Sequence, residues 1–443
     1  MATCNGHLKM TEVWNADELM GLKGAPESPS SHPQKQQQQR RLSSFRHKKQ
    51  VEPADWGRPG HLTQEEVDVY MKFKEQVESR GGEFRKTVYC FGEEEGEAFA
   101  LTRWLRARKF VYDDTMIMVE EATECRAAAR AVDFYPEPVD ALGCSAALFY
   151  ALYPQVYTGH AKCGAPLFIS KPGILNVDGM ECITTLDGIV KFHWHVMIHD
   201  FAARLRARKV EDPSFKRFEC FCVLDLAHLS TSQLNSRAMS IIKEQSFIDS
   251  LCFPETMAKM VIVNAPRFFS LSWSVIKGWL DQRTANKVEV ISSKKASEKR
   301  LLELVDAQYL PCDYGGKGPD TNDLIDSTCT GGMKRLFHEV LYLRGHGSVI
   351  ADVAEGEEMD VAVWTRSTLG AAFSVTHAEQ KHGSPYVEDV EVKHHGTEDV
   401  TEAPTSVTLT KERIVGPAKI KVKADSHAGR FSTHNYMVVF EIY

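Results

Sequence analysis

The chain has 443 residues, 43% of them hydrophobic, and a formal net charge of -7. That composition supplies a large core and two or three domains. The acidic balance excludes a whole-protein electrostatic partner such as nucleic acid, for which a basic domain is expected. Eleven cysteines without paired spacing fit a reducing compartment better than a disulfide framework. The N-terminal MATCNGHLKM lacks the apolar run of a signal peptide, and no stretch approaches the roughly 20 apolar residues of a membrane span. A cytosolic protein is expected.

Residues 1–60 are rich in Ser, Pro and Gln, without a sustained apolar period, and are read as a disordered tail. From Lys35 to Lys49 the tail is basic, with Arg40, Arg41, Arg46 and Lys48 and no acid. Two readings stay open for this tract: a solvated tail, or a weak contact with an anionic membrane worth about 1 kcal/mol per basic residue. Arg40-Arg41-Leu42-Ser43 has the form of a basophilic kinase site, and a phosphate on Ser43 would oppose such a contact.

Order is expected from Leu62. Thr63 and Glu66 are spaced as a capping box, and Val67, Tyr70, Phe73 and Val77 follow at helical intervals until Gly81-Gly82. A second helix is expected over 94–110, and a third after Asp113-Asp114 with Ile117, Ala122, Cys125 and Ala129 inward. Residues 61–138 thus read as a helical unit. Beyond Pro138 the pattern turns to short apolar runs separated by helices, with strands at 166–170, 218–226, 259–264 and 287–292. That alternation implies a largely parallel sheet in an α/β domain over 139–318. A polar linker over 319–330 is followed by short strands with turn signals over 331–443, implying a β-sandwich. Within it, the acidic stretch between His377 and Thr405 reads as a long exposed loop.

A helix over 186–205 carries His193, His195 and His199, and His195 and His199 are one turn apart. No Glu follows His195 in the zinc-protease arrangement and no neighbouring cluster completes a site, so no metal is assigned. Cys220 and Cys222 alternate along a strand and face the same side, where buried small apolar side chains are the default. The stretch 252–292 stands out. Between two strands it places a helix with Phe268, Phe269, Leu271, Trp273, Val275, Ile276, Trp279 and Leu280, more apolar surface than one sheet-facing stripe requires. No Ser/His/Asp or Cys/His motif has hydrolase context, and Gly315-Gly316-Lys317-Gly318 lacks the spacing of a phosphate-binding loop. No enzyme is expected.

Six stretches occur together in order: 105–110 (LRARKF), 153–155 (YPQ), 223–226 (VLDL), 253–255 (FPE), 263–266 (VNAP), and 310–311 (LP) with 314–317 (YGGK). In them the chain resembles CRAL-TRIO lipid-transfer proteins over roughly 62–318, and 331–443 is similar to a Golgi dynamics (GOLD) β-sandwich through its closing strands. The resemblance implies that the apolar helix is a gate over a lipid pocket. It also implies that phosphatidylinositol is held by Arg108, Lys109, Glu255, Thr284 and Lys287, whose cations, carboxylate and hydroxyl suit a phosphodiester and inositol hydroxyls. Each of these residues also has a plainer use. Arg108 and Lys109 suit a helix C-terminus, and Glu255 and Thr284 suit caps. The family's phosphatidylcholine site maps onto Tyr157, Phe168, Cys220 and Cys222, and three of its hydroxyls are lost. Thiols donate weakly, so a second, more apolar lipid is expected there. The expected protein is a lipid carrier, peripherally membrane-associated, without a cofactor beyond its bound lipid. The alternative is a lipid-sensing adaptor whose sandwich recruits trafficking or cytoskeletal partners.

Overall fold

A computed structural model describes residues 14–22, 55–280, 282–379, 385–397, 401–427 and 432–443. The basic tract and Ser43 lie outside the described residues. The chain divides into two compact units, Met1–Cys125 and Arg126–Tyr443.

The first unit holds five helices among its described residues: α1 (Ala16–Met20), α2 (Gln64–Arg80), α3 (Gly82–Val88), α4 (Glu97–Ala107) and α5 (Tyr112–Cys125). Helix α1 lies within the stretch read as a disordered tail; Asn15 and Glu18 form its capping box, and Leu19 is buried. The expected capping box of α2 is present, with the side chains of Thr63 and Glu66 each accepting from the other's backbone N–H, and its buried face is Val67, Tyr70, Phe73 and Val77. Helix α4 is shorter than the 94–110 expected, because Glu93–Glu95 form a separate 3-10 turn. In α5 the inward residues are Met116, Met118, Val119 and Ala122, whereas Ile117, expected inward, is 53% exposed. Thr115, Met118, Val119 and Ala122 set the inner stripe at i, i+3, i+4 and i+7, and position 117 falls on the opposite side.

The second unit opens with α6 (Ala127–Ala131), α7 (Pro138–Leu142) and α8 (Ala146–Leu152). Its α/β part continues through β1 (Gln155–His160), β2 (Pro166–Ser170), α9 (Val177–Ile183), α10 (Leu186–His195), α11 (Ala202–Glu211), β3 (Cys220–Asp225), α12 (Ser236–Cys252), β4 (Met257–Val263), α13 (Phe269–Lys277), α14 (Gln282–Asn286), β5 (Val288–Val290), α15 (Lys294–Leu304) and α16 (Thr321–Asp326). The strands form one sheet in the order β1-β2-β3-β4-β5. The β1–β2 pair is antiparallel and the others are parallel. The helix expected over 186–205 is interrupted by a π-turn at Val196–Phe201. The linker expected over 319–330 contains α16, whose Ile325 joins the core beneath the sheet.

The remaining strands are β6 (Arg335–Leu343), β7 (His346–Val353), β8 (Glu358–Thr365), β9 (Ala371–His377), β10 (Val387–Val392), β11 (Thr405–Thr408), β12 (Ile414–Val415), β13 (Ala418–Ser426) and β14 (His434–Ile442). They make two antiparallel sheets, β10-β9-β13-β7 and β11-β8-β14-β6 with β12 on β8, closed over a common core. Strand β10 corrects the reading of 377–405 as one long loop: it pairs at the sheet edge with β9.

The sandwich and the α/β part share a second core. Along β14, Tyr436, Val438, Phe440 and Ile442 face into the sandwich. Met437 and Val439 face the other way, onto Leu142, Phe149, Leu152, Met180, Ile183 and Phe192 from α7 to α10. Arg366, 9% exposed, donates to the Glu181 carbonyl at 2.6 Å and the Thr184 carbonyl at 2.7 Å, closing the C-terminus of α9. Met437→Ala is therefore expected to cost about 2–5 kcal/mol and to lower one shared unfolding transition. Scanning calorimetry with a separate, unshifted transition for the α/β part would contradict a shared core.

Candidate functional site

The five-stranded sheet has unequal faces. On one, Val156, Leu167, Ile169, Phe221, Val223, Val261 and Val263 are buried against Leu301, Val305, Leu310 and Tyr314. The ends of β3 and β4 on this unit are tied by Asp225. Its carboxylate accepts from the Tyr314 hydroxyl at 2.9 Å, the Asn264 amide at 2.8 Å and the Ala227 backbone at 2.9 Å. Three of the six sequence stretches meet in that knot.

On the other face, register aligns a row across all five strands: Tyr157, Phe168, Cys222, Met260 and Val288. Apart from Cys222 these residues are only partly buried. The Tyr157 and Phe168 rings lie 4.8 Å apart, and the Cys220 and Cys222 Sγ atoms 3.2 Å apart. The four residues of the second ligand set are thus brought together. Burial, with the neighbouring Cys220, Asp200 and Cys222, pushes the Tyr157 hydroxyl well above its usual range. Sequence reasoning missed Arg204, which packs over the Tyr157 ring at 4.5 Å and is paired with Asp200 at 2.7 Å. Its only signal was the i, i+4 spacing of Asp200 and Arg204.

Helix α13 covers this face at the β4–β5 end. Phe269 is buried, and Phe268, Trp273 and Ile276 pack with Leu226, Leu229, Ile262 and Ala265. These positions make the inner stripe of a helix. On its outer side Leu271 is 77% exposed and Val275 53% exposed, beside the exposed Ser270, Ser274 and Lys277. Trp279 and Leu280 follow the end of the helix and are half-buried. The excess apolar surface expected for this segment is real and faces outward.

Polar residues flank the helix in the chain. Glu255 precedes β4 in a left-handed conformation with φ 60°, uncommon for a residue with a side chain. Its carboxylate is largely buried and meets Lys287 Nζ at 3.3 Å and Arg283 Nε at 3.5 Å. Lys287 Nζ also donates to the Met257 carbonyl at 2.7 Å, spanning from β5 to β4. Thr284 lies one turn before Lys287, whose backbone N–H donates to its carbonyl at 3.1 Å. Glu255, Thr284 and Lys287 are thereby assembled around α14. Arg283 belongs with them and was not foreseen, since nothing in its spacing separates it from a solvated arginine.

Arg108 and Lys109 lie in the first unit and close α4. Lys109 has φ 53°, its N–H donates to the Arg106 carbonyl at 3.1 Å, and the Phe110 N–H donates to the Leu105 carbonyl at 2.8 Å. The plainer use of these cations at a helix C-terminus is met.

The three histidines are engaged elsewhere. His193 Nε2 lies 2.7 Å from Asp249, His195 Nδ1 donates to the Tyr135 carbonyl at 2.7 Å, and His199 Nε2 donates to the Asp133 carbonyl at 2.6 Å. Among the described residues no group of three or more His, Cys, Asp or Glu is placed to hold a metal, and no helix is long and apolar enough to cross a membrane.

The CRAL/TRIO domain family matches residues 151–316. The chain is 30% identical over 271 residues to the "SEC14 cytosolic factor" of Kluyveromyces lactis, covering 59% of this chain and 81% of that one. It is 30% identical over 229 residues to the "Phosphatidylinositol/phosphatidylcholine transfer protein SFH12" of Arabidopsis thaliana, covering 51% of this chain and 40% of that one. It therefore spans less than half of that plant relative. A solved structure of Sfh5 aligns with a TM-score of 0.44 at 16% identity, over 62% of this chain and 94% of its own.

Burial holds the His195 imidazole below its ordinary value, outweighing the hydrogen bond to Tyr135. The unfolded chain therefore binds this proton at a higher pH than the folded one, and stability falls as pH drops below about 6.5. The urea midpoint is expected to decline over that interval, less steeply in His195→Gln. Equal slopes for the two proteins would show that His195 is not responsible.

Proposed function

We propose that this chain, which belongs to the CRAL/TRIO family, is a non-enzymatic carrier that takes up phosphatidylinositol and a second, more apolar lipid and exchanges or presents them at membranes. The observation that carries the reading is the partly buried sheet face covered by α13, a helix that packs an apolar stripe inward and also exposes Leu271 and Val275 on its outer side. A helix that only completed a core would expose polar residues at 271 and 275. One that alternately covers a pocket and touches a bilayer needs apolar side chains on its outer side as well. Glu255, Thr284 and Lys287 would hold the headgroup with Arg283 beside them. Removing Lys287 leaves the Glu255 carboxylate with Arg283, so Lys287→Ala should spare folding. Loss of one charge-assisted hydrogen bond predicts about ten- to hundredfold weaker phosphatidylinositol binding. The double variant Lys287→Ala with Glu255→Lys should abolish it.

The second lipid would lie along the Tyr157, Phe168, Cys220 and Cys222 end of the sheet. Loading the protein from a lipid extract and identifying the bound species tests this, and phosphatidylcholine as the sole ligand would contradict it. The proposed organisation is a helical unit over 61–138, a lipid domain over 139–318 and a GOLD-like sandwich over 331–443, with peripheral membrane association through α13. Leu271→Asp with Val275→Asp should weaken vesicle binding by about tenfold or more with little change in thermal stability, because both side chains are exposed. Unaltered vesicle binding would remove α13 from the membrane contact.

A second reading is favoured by the core shared between the sandwich and α7–α10. A change in the lipid domain has a packed route to the sandwich, as an adaptor recruiting trafficking partners requires. A cellular role that survives loss of lipid binding in the Glu255/Lys287 double variant would separate this reading from carriage.

A further inference from the structure

Arg126, at the head of α6, is only 4% exposed, yet its buried Nη1 has no hydrogen-bond partner among the described residues. Its neighbours are three aromatic rings: Phe134 at 4.9 Å, Phe253 at 5.1 Å and Trp194 at 6.0 Å. Those rings also meet one another, Phe134 with Trp194 at 6.0 Å and Trp194 with Phe253 at 5.7 Å. Stacking on aromatic faces stabilises a desolvated guanidinium in part. It does not satisfy the planar fork of N–H donors, and a buried charge without a counter-charge is costly.

The box is held in shape. Asp133, Phe134 and Tyr135 all have positive φ, at 49°, 54° and 58°, which L-residues rarely adopt in succession. His199 and His195 donate to the carbonyls on either side of Phe134, from a helix opened at that point by the π-turn. Strain of this kind persists where the surroundings over-determine it. Here it fixes one wall around Arg126. Another wall, Phe253, stands two residues before Glu255.

We propose that Arg126, within Phe134, Trp194 and Phe253, is an anion-binding site that takes a phosphate group. A phosphate matches the guanidinium fork bidentately and supplies the missing counter-charge. The rings exclude water from the pair and so strengthen it. The phosphate has two sources of the same chemistry: the ester of an inositol lipid headgroup, in which case the proposal rests on the carrier reading, or a free phosphate.

The test uses the full chain with inorganic phosphate, inositol 1-phosphate and vesicles with and without phosphatidylinositol, comparing wild type, Arg126→Gln and Arg126→Lys. The expected result is about tenfold or greater loss of phosphate-ligand affinity in Arg126→Gln, with partial retention in Arg126→Lys. Loss with vesicles identifies the headgroup; loss with the soluble phosphates alone identifies a free anion. Wild-type affinity in a folded Arg126→Gln, or no phosphate binding by wild type, overturns the proposal. If wild type takes up phosphatidylinositol and Arg126→Gln does so equally, this proposal fails while the carrier reading stands. If soluble phosphate binding depends on Arg126 but no phosphatidylinositol is taken up, the carrier reading fails instead. Should Arg126→Gln not fold, tryptophan fluorescence decides: a phosphate-induced change in wild type that disappears in Trp194→Phe while binding persists places the anion at the box, and an unchanged signal overturns it.

Discussion

The unequal faces of the five-stranded sheet are the constraint on which the α/β part depends. A parallel sheet normally has both faces buried under helices. Here the face carrying Val223, Val261 and Val263 is sealed, and the opposite row from Tyr157 to Val288 is only partly covered. The sealed face supplies the packing that keeps five strands in register, so the other face can be left to a helix that need not be fixed. Asp225 reinforces the division, tying β3, β4 and Tyr314 together at one end.

The polar anchors and the covering helix are consecutive pieces of chain. Glu255 leads into β4, α13 follows β4, and Lys287 leads into β5, with its ammonium reaching back across to the Met257 carbonyl. The chain before β4 and the chain after α13 are therefore tied together by the ion pairs of Glu255 with Lys287 and Arg283. The Glu255 cluster and α13 are thus joined through the chain itself.

Much of this was legible in the sequence. The capping box of Thr63 and Glu66, most of the strands and the excess apolar content of 268–280 follow from period and composition. Strand β1 was not legible, because QVYTGH at an antiparallel edge carries neither an apolar run nor clean alternation. Nor was β10, whose acidic residues suit an edge strand as well as a loop. Arg283 and Arg126 were missed for a common reason. An arginine's role depends on what tertiary structure places around its guanidinium, and no local pattern records that. The π-turn after His195 is likewise a tertiary outcome: it aligns two histidines with two carbonyls some 60 residues earlier.

Strand β14 has a consequence for how the protein is made. Met437 and Val439 complete the apolar cluster of α7 to α10, although those helices precede β14 by more than 200 residues. Domains fold largely as they emerge from the ribosome. During synthesis of 196–433 the cluster around Phe149, Met180 and Phe192 lacks its final strand, so greasy surface stays uncovered on a partly folded chain. That interval is when a chaperone has most to hold, and a chain terminated before residue 434 would carry the exposed patch permanently.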